Sequence, residues 1–349
     1  MKQKNSDMLQ FNERTRRILH DLIYEYIHTG APVGSQTLAR KGIELSPATL
    51  RNIMAELEEM GYLFQPHISA GRVPTEKALR FYVDSILEVR DLTRAERELI
   101  QNQYRYTDIE LTTLLKDTSQ ILSSISRNIS VVVIPSFLYT VFKLMEFINV
   151  STNRILVIFV SQSGLVQNKI IEVDEEIPQE ELDKYARYLN ELLKGLTLQE
   201  VKQKITEEMH TEKARYDHLL SQALALSQKA LDKDEQADIY IDGTLNLLEY
   251  PEFAEVRKMK RLLQAIEEKE RLLKILNKAM EAQGVRIFIG SENTLKEMEG
   301  CSLITATYSK ENQVLGALGV IGPTRMDYER IIPIVDYTAQ IVSKMLERQ

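Results

Sequence analysis

The sequence is poor in cysteine, in long apolar runs and in net positive charge. Its one cysteine, Cys301, excludes an internal disulfide framework and agrees with a reducing cytosol. The surrounding CSLITATY reads as a strand with no nucleophile-activating partners, so Cys301 is read as a small core residue. No stretch approaches the ~20 consecutive apolar residues of a transmembrane helix. The opening MKQKNSDM lacks the apolar run of a signal peptide, so a cytoplasmic protein, neither secreted nor membrane-spanning, is expected. A formal charge of −7 and a pI near 5.5 exclude a surface coated in basic patches.

Other shortages narrow the chemistry. His20, His28, His67, His210 and His218 show no metal spacing with the cysteine, and no catalytic trio is visible, so no catalytic residue, metal or cofactor is expected. Gly316, Gly319 and Gly322 recur three apart, which is not the dinucleotide G-x-G-x-x-G, and no acidic residue follows at the expected distance after a βα unit. The paired aromatic motif of an RRM is missing, and the G-x-x-G spacings at 316–319 and 319–322 are not read as a KH loop.

A length of 349 residues with 44% hydrophobic content supports two or three globular domains. Charge is unevenly spread: residues 1–90 carry 12 Lys/Arg against 11 Asp/Glu, which leaves 32 against 40 for the remainder. An acidic body repels DNA, so any DNA contact belongs to the near-neutral N-terminal end.

That end carries the informative stretch, SPATLRNIMAELEEMGYLFQPHISAGRVPT at 46–75. Ser46 is a helix cap and Pro47 suits the first turn. Leu50, Ile53, Met54 and Leu57 recur at helical spacing and face a core. Ala48, Asn52 and Ala55 then face outward with Thr49 and Arg51 on the flanks, an uncharged opening that suits entry into a major groove. Gly61 ends this helix. A short strand from Tyr62 to Gln65, a loop at 66–71, then Arg72 and Val73 read as a β-wing whose tip offers His67 and Ser69, with Arg72 for phosphate. Singly, each of these residues fits a solvated turn better than a recognition surface; their order favours recognition.

Upstream, Glu13 to His28 is helical with an inward stripe of Ile18, Leu19, Leu22, Ile23 and Ile27. Arg14, Arg16 and Arg17 crowd its first turns, either awaiting an anion or forming a solvated face. Ser35 is read as the cap of a short helix, Gln36 to Arg40, stopped by Gly42. Together these elements spell a winged helix-turn-helix, with Ser35, Gln36, Ser46, Thr49, Arg51, Asn52, His67, Ser69 and Arg72 as candidate DNA-binding residues. Arg51 and Asn52 are assigned to bases and Arg72 to the backbone. Thr75 caps a further helix, Glu76 to Arg90, and residues 91–106 read as a charged linker.

Downstream, a helix at 107–127 precedes apolar, β-branched runs at 129–134, 142–150, 155–160 and 165–173, read as an antiparallel meander. The strand signal returns at 285–289, 301–308 and 314–321, before a closing helix at 325–347 whose start is assigned to a Thr324–Asp327 capping pair. Between the two halves, Glu-, Lys- and Leu-rich helical segments interrupt the sheet. One of them, 252–282, keeps close to a heptad seam.

PVGS at 32–35, SPATLRN at 46–52, PHISAGRVPT at 66–75, IGSEN at 289–293 and GVIGPTRMDYER at 319–330 together resemble the signature of the heat-inducible transcription repressor HrcA family. Ile68 and Ala78-Leu79 depart from that pattern, where Thr and Gly-Tyr are more usual. The resemblance implies an α+β multidomain chain: a winged-helix domain at 1–90, a GAF-like antiparallel-sheet domain at 107–182 and 251–349, and an inserted, mainly helical dimerising domain at 183–250. It also implies a homodimeric repressor of chaperone operons on an inverted-repeat operator in double-stranded DNA, kept active by a chaperonin. The rival reading is a ligand-responsive regulator whose GAF-like domain holds a small molecule.

Overall fold

The computed structural model describes residues 11–41, 43, 45–87, 90–104, 111–133, 141–162, 166–209, 218–231, 239–280, 283–293, 296–310 and 313–348. The expectations for residues 1–10, Gly42 and His210 lie outside them. The chain is α+β, with helices packed on antiparallel sheets.

The N-terminal unit contains α1 (Glu13–Thr29), α2 (Ser35–Arg40), α3 (Pro47–Glu59), β1 (Leu63–Phe64), β2 (Val73–Pro74) and α4 (Glu76–Phe81). Asn12 Oδ1 caps α1 by accepting from the Thr15 N–H at 2.8 Å, and Gly30 closes it at a φ of 67°. The stripe Ile18, Leu19, Leu22, Ile23 and Ile27 is buried as its spacing requires. Full burial of such side chains contributes roughly 1.5–3 kcal/mol each, more than any cap in this unit. Gly34, not Ser35, occupies the N-cap of α2 and makes no side-chain bond there. α4 runs into a π-helical turn, Tyr82–Ile86, so the helix expected to reach Arg90 ends early.

Residues 91–106 are not the simple linker that their charge suggests. They contain α5 (Arg94–Gln103), which opens on a Thr93–Glu96 capping box and buries Ile100.

Helix α6 (Leu111–Ser126) leads into a five-stranded sheet formed by β3 (Ile129–Val133), β7 (Ile239–Asp242), β8 (Val285–Ile289), β9 (Cys301–Lys310) and β10 (Gln313–Pro323), ordered β7-β3-β10-β9-β8. Val132 of β3 faces the core under α6 and the closing α12 (Tyr328–Arg348), whereas Ile129, Val131 and Val133 face α10 (Val256–Glu267) and α11 (Lys269–Met280). Burial on both faces accounts for the apolar β3, whose one polar residue, Ser130, is buried with its hydroxyl bonded to Ser119. The heptad-like stripe of Met259, Ile266, Leu273 and Leu276 thus covers a sheet instead of forming a coiled coil. Asp327 caps α12 by accepting from the Arg330 N–H at 3.2 Å; Thr324, expected in that role, donates its N–H to the Gly300 carbonyl.

The expected single meander divides after β3. Strands β4 (Phe142–Ser151), β5 (Arg154–Ser161) and β6 (Val166–Glu172) form a separate sheet. It packs on α7 (Gln179–Leu193), α8 (Leu198–Met209) and α9 (His218–Leu231) around its own core of Phe142, Met145, Phe159, Leu189 and Leu224. The insert expected at 183–250 is therefore grouped differently. Its helices share their core with strands that precede residue 183, and β7, inside that range, belongs to the larger sheet. Val133 pairs directly with Ile239, so residues 134–238 are an enlarged connection between two adjacent antiparallel strands.

Candidate nucleic-acid interface

Helix α3 is built to present its N-terminal half. The Thr49 N–H donates to Ser46 Oγ at 3.1 Å, and Pro47 occupies the first turn without losing a bond. Leu50, Met54 and Leu57 are buried and Ile53 partly so. Ala48, Arg51 and Asn52 are consequently exposed, and Thr49 is half-buried with its hydroxyl 2.9 Å from that of Ser46. The exposed face has no acidic group until Glu56, and the positive end of the helix dipole lies beside it. Both features suit approach to an anionic duplex.

The hairpin beside α3 is fastened to its neighbour and braced from within. Val33 and Arg72 exchange backbone hydrogen bonds of 2.9 and 2.8 Å, joining the hairpin to the turn before α2. Gly71 permits that approach: a Cβ there would lie 2.4 Å from the Val33 carbonyl carbon and oxygen. Inside the loop, the Gln65 amide donates to the carbonyls of Ile68 at 2.8 Å and Ala70 at 2.9 Å. Gln65 and Gly71 were not among the sequence candidates. The wing motif contained them, but their partners are known only from the fold. On this braced loop His67 and Ser69 are exposed, and Ile68 is 100% exposed.

Two candidates sit differently from the rest. Ser35 is half-buried at the start of α2, beside exposed Gln36. Arg72 is only 16% exposed, and its Nε lies 2.8 Å from Glu58 Oε2 on α3. That N–H does not aim well at the carboxylate and makes no aligned hydrogen bond, so the contact is mainly one of charge. It ties the hairpin to α3. Arg16 and Arg17 flank the opening of α1, half-buried and exposed respectively.

The remaining candidates for chemistry are quiet. Burial pushes the Cys301 thiol up to about 12, which leaves no thiolate for nucleophilic attack near neutral pH. Among the described residues no cluster of His, Cys, Asp or Glu could hold a metal, and no helix is long and apolar enough to cross a membrane.

Comparison with known proteins identifies the family. The family profile described as the HrcA protein C terminal domain matches residues 112–332. A "Heat-inducible transcription repressor HrcA" from Geobacter sulfurreducens is 50% identical over 341 residues, covering 97% of this chain and 99% of that protein. The chain belongs to the heat-inducible transcription repressor HrcA family. The namesake from Syntrophobacter fumaroxidans is 46% identical with the same coverage. A crystal structure of a hypothetical protein shares the fold, with a TM-score of 0.59, 24% identity, and coverage of 97% of this chain and 98% of that one. HrcA proteins are regulators of transcription, not enzymes, and the chain is read as one of them.

Proposed function

We propose that this heat-inducible repressor binds an inverted-repeat operator as a homodimer, with α3 in the major groove and the hairpin as the wing of a winged helix. The observation that carries the reading is the exposed, acid-free face of α3 from Ser46 to Asn52, braced by a hairpin fastened to the turn before α2. Asn52 and Arg51 have the donor and acceptor patterns to read adenine and guanine edges, and Ser46, Thr49, Gln36, Ser35, His67 and Ser69 suit the sugar-phosphate backbone. Arg72 serves this interface chiefly by fixing the hairpin against α3.

A homodimer is supported by the outer face of the β4–β6 sheet. Ile148, Val150, Val166 and Ile170 there are 40%, 54%, 62% and 56% exposed, beside half-exposed Leu156 and Ile158. Contiguous apolar surface of this kind marks an association site. The five-stranded sheet is read as the GAF-like domain and residues 134–238 as the inserted dimerising domain. Helices occupy both faces of the larger sheet, so no observation favours a small-molecule effector. The family further suggests chaperone operons as targets and a chaperonin that keeps the repressor active.

Gel shifts at fixed salt with an inverted-repeat duplex from the chain's own promoter region, a scrambled duplex and RNA test the reading. Preference for the inverted repeat by about 10³-fold or more is expected of a specific binder. Equal binding of all three probes would remove the proposal.

A further inference from the structure

Two of the family-signature segments, IGSEN and GVIGPTRMDYER, lie far from α3, and both grip the N-terminal unit. In the first, the turn Gly290–Glu292 receives α4. The Ser291 N–H and hydroxyl donate to Glu76 Oε2 at 3.0 and 2.5 Å. The Arg80 guanidinium spans both oxygens of Glu292 and donates to the Ile287 carbonyl at 2.6 Å. Gly290, at a φ of 51°, makes room for this seat, since a Cβ there would lie 1.8 Å from Glu76 Oε1.

In the second, Arg325 stands in the turn before α12 and is 11% exposed. It bonds both carboxylate oxygens of Glu252, and its Nη1 donates to the Ile27 carbonyl at 3.1 Å. That carbonyl is in the last turn of α1, where helix carbonyls lack intrahelical partners and carry the negative end of the dipole. Gly30 faces the same guanidinium, and a Cβ there would lie 3.0 Å from Arg325 Cζ.

Both grips sit on a shared apolar core in which Tyr82 and Leu79 join Tyr328 and Ile331. Apolar burial holds two bodies together without choosing an angle, whereas the Arg80–Glu292 fork crosses between them and holds only one, and Arg325, itself set by its fork to Glu252, adds the directed bond to Ile27. We infer that Glu76, Arg80 and Arg325 are positioning residues for operator recognition: they fix the angle of the N-terminal unit on the sheet domain, and thereby the separation of the two α3 helices in the dimer. This rests on the dimeric repressor reading. A two-fold site rewards such control, because adjacent base pairs are about 3.4 Å apart and both half-sites must be met together.

The test uses the full-length chain, a single half-site duplex, and inverted repeats in which the footprinted half-sites are moved apart or together by one, two and five base pairs. Wild type should favour one spacing sharply. Glu76→Ala/Arg325→Ala should keep half-site affinity within about twofold, lose at least tenfold on the favoured spacing, and bind the series more evenly. The milder Ser291→Ala and Arg325→Lys, which retain the fold if the double variant does not, should flatten the series in the same direction. An unchanged spacing profile in the variants, or equal loss on half-site and full site, overturns the inference alone. A wild type that prefers no inverted repeat over scrambled DNA overturns the repressor reading as well.

Discussion

In the proposed interface Asn52 and Arg72 are assigned opposite roles. Asn52 is exposed on the acid-free half of α3, available to a base edge. Asn52→Ala should therefore cost about 1–3 kcal/mol on the operator and little on random DNA. Arg72 already faces Glu58 at 2.8 Å. A cation that contacts phosphate flattens the salt dependence by about one unit when removed. With Glu58 neutralising it, Arg72→Ala should leave the salt slope near that of wild type while weakening every duplex through a displaced hairpin. A slope flatter by one unit would return Arg72 to the phosphate backbone. The candidate residues themselves were legible in the sequence because capping, helical spacing and the wing loop are local signals; the Glu58 partner was not, since it joins elements with no sequence relation.

Elements that the sequence described by composition turn out to be defined by single bonds. Helix α5 was hidden in a charged segment because its capping box is a two-residue signal. Glu96 receives the Arg90 guanidinium at 2.8 and 3.0 Å and the Thr93 N–H at 3.0 Å. Arg90 first, then Thr93, hold its carboxyl down from 4.5 to about 2. A carboxyl depressed on folding adds stability above its unfolded value, and that stability is lost as pH falls from about 4.5 toward 2. Glu96→Gln should lower the melting temperature at pH 6 and flatten its fall between pH 5 and 3; parallel curves for variant and wild type would contradict this. On the β4–β6 sheet, Ile170 is 56% exposed, so Ile170→Lys removes no core packing. It should leave the melting curve of the isolated subunit intact yet shift sedimentation from dimer to monomer, whereas a persistent dimer would place the interface elsewhere.

At the scale of the whole molecule, the larger sheet is assembled from distant segments: Val132 pairs with Leu318, and Val133 with Ile239. Closing such loops costs entropy before any strand pair compensates, so slow folding with apolar strands transiently exposed is the expected outcome. Denatured repressor should recover more operator-binding activity with chaperonin and ATP than without, and the gap should widen with protein concentration; equal recovery throughout would uncouple it from chaperonin. The same topology predicts a shortcut. Because residues 133 and 239 are register partners, replacing 134–238 by an Asn-Gly turn should give a folded monomer that retains half-site binding. A variant that fails to fold would show that the insert does more than bridge two chains, and one that still dimerises would place the interface elsewhere.

What the sequence determined by itself is whatever depends on neighbours along the chain: helix phase, caps, turn glycines, the α3 face and the strands as individual runs. Periodicity records which side of an element is buried, and that was enough to pick out the exposed face of α3 proposed for recognition. It does not record against what. Strands β3 and β4 both read as β-runs in one meander, yet one lies between two helical layers and the other begins a separate sheet. The heptad-like stripe of α10 and α11 likewise satisfies a sheet as well as a partner helix. Burial is non-directional, so choosing among such partners fell to tertiary structure: register between remote strands and forked ion pairs such as those of Arg80 and Arg325, whose geometry admits one arrangement.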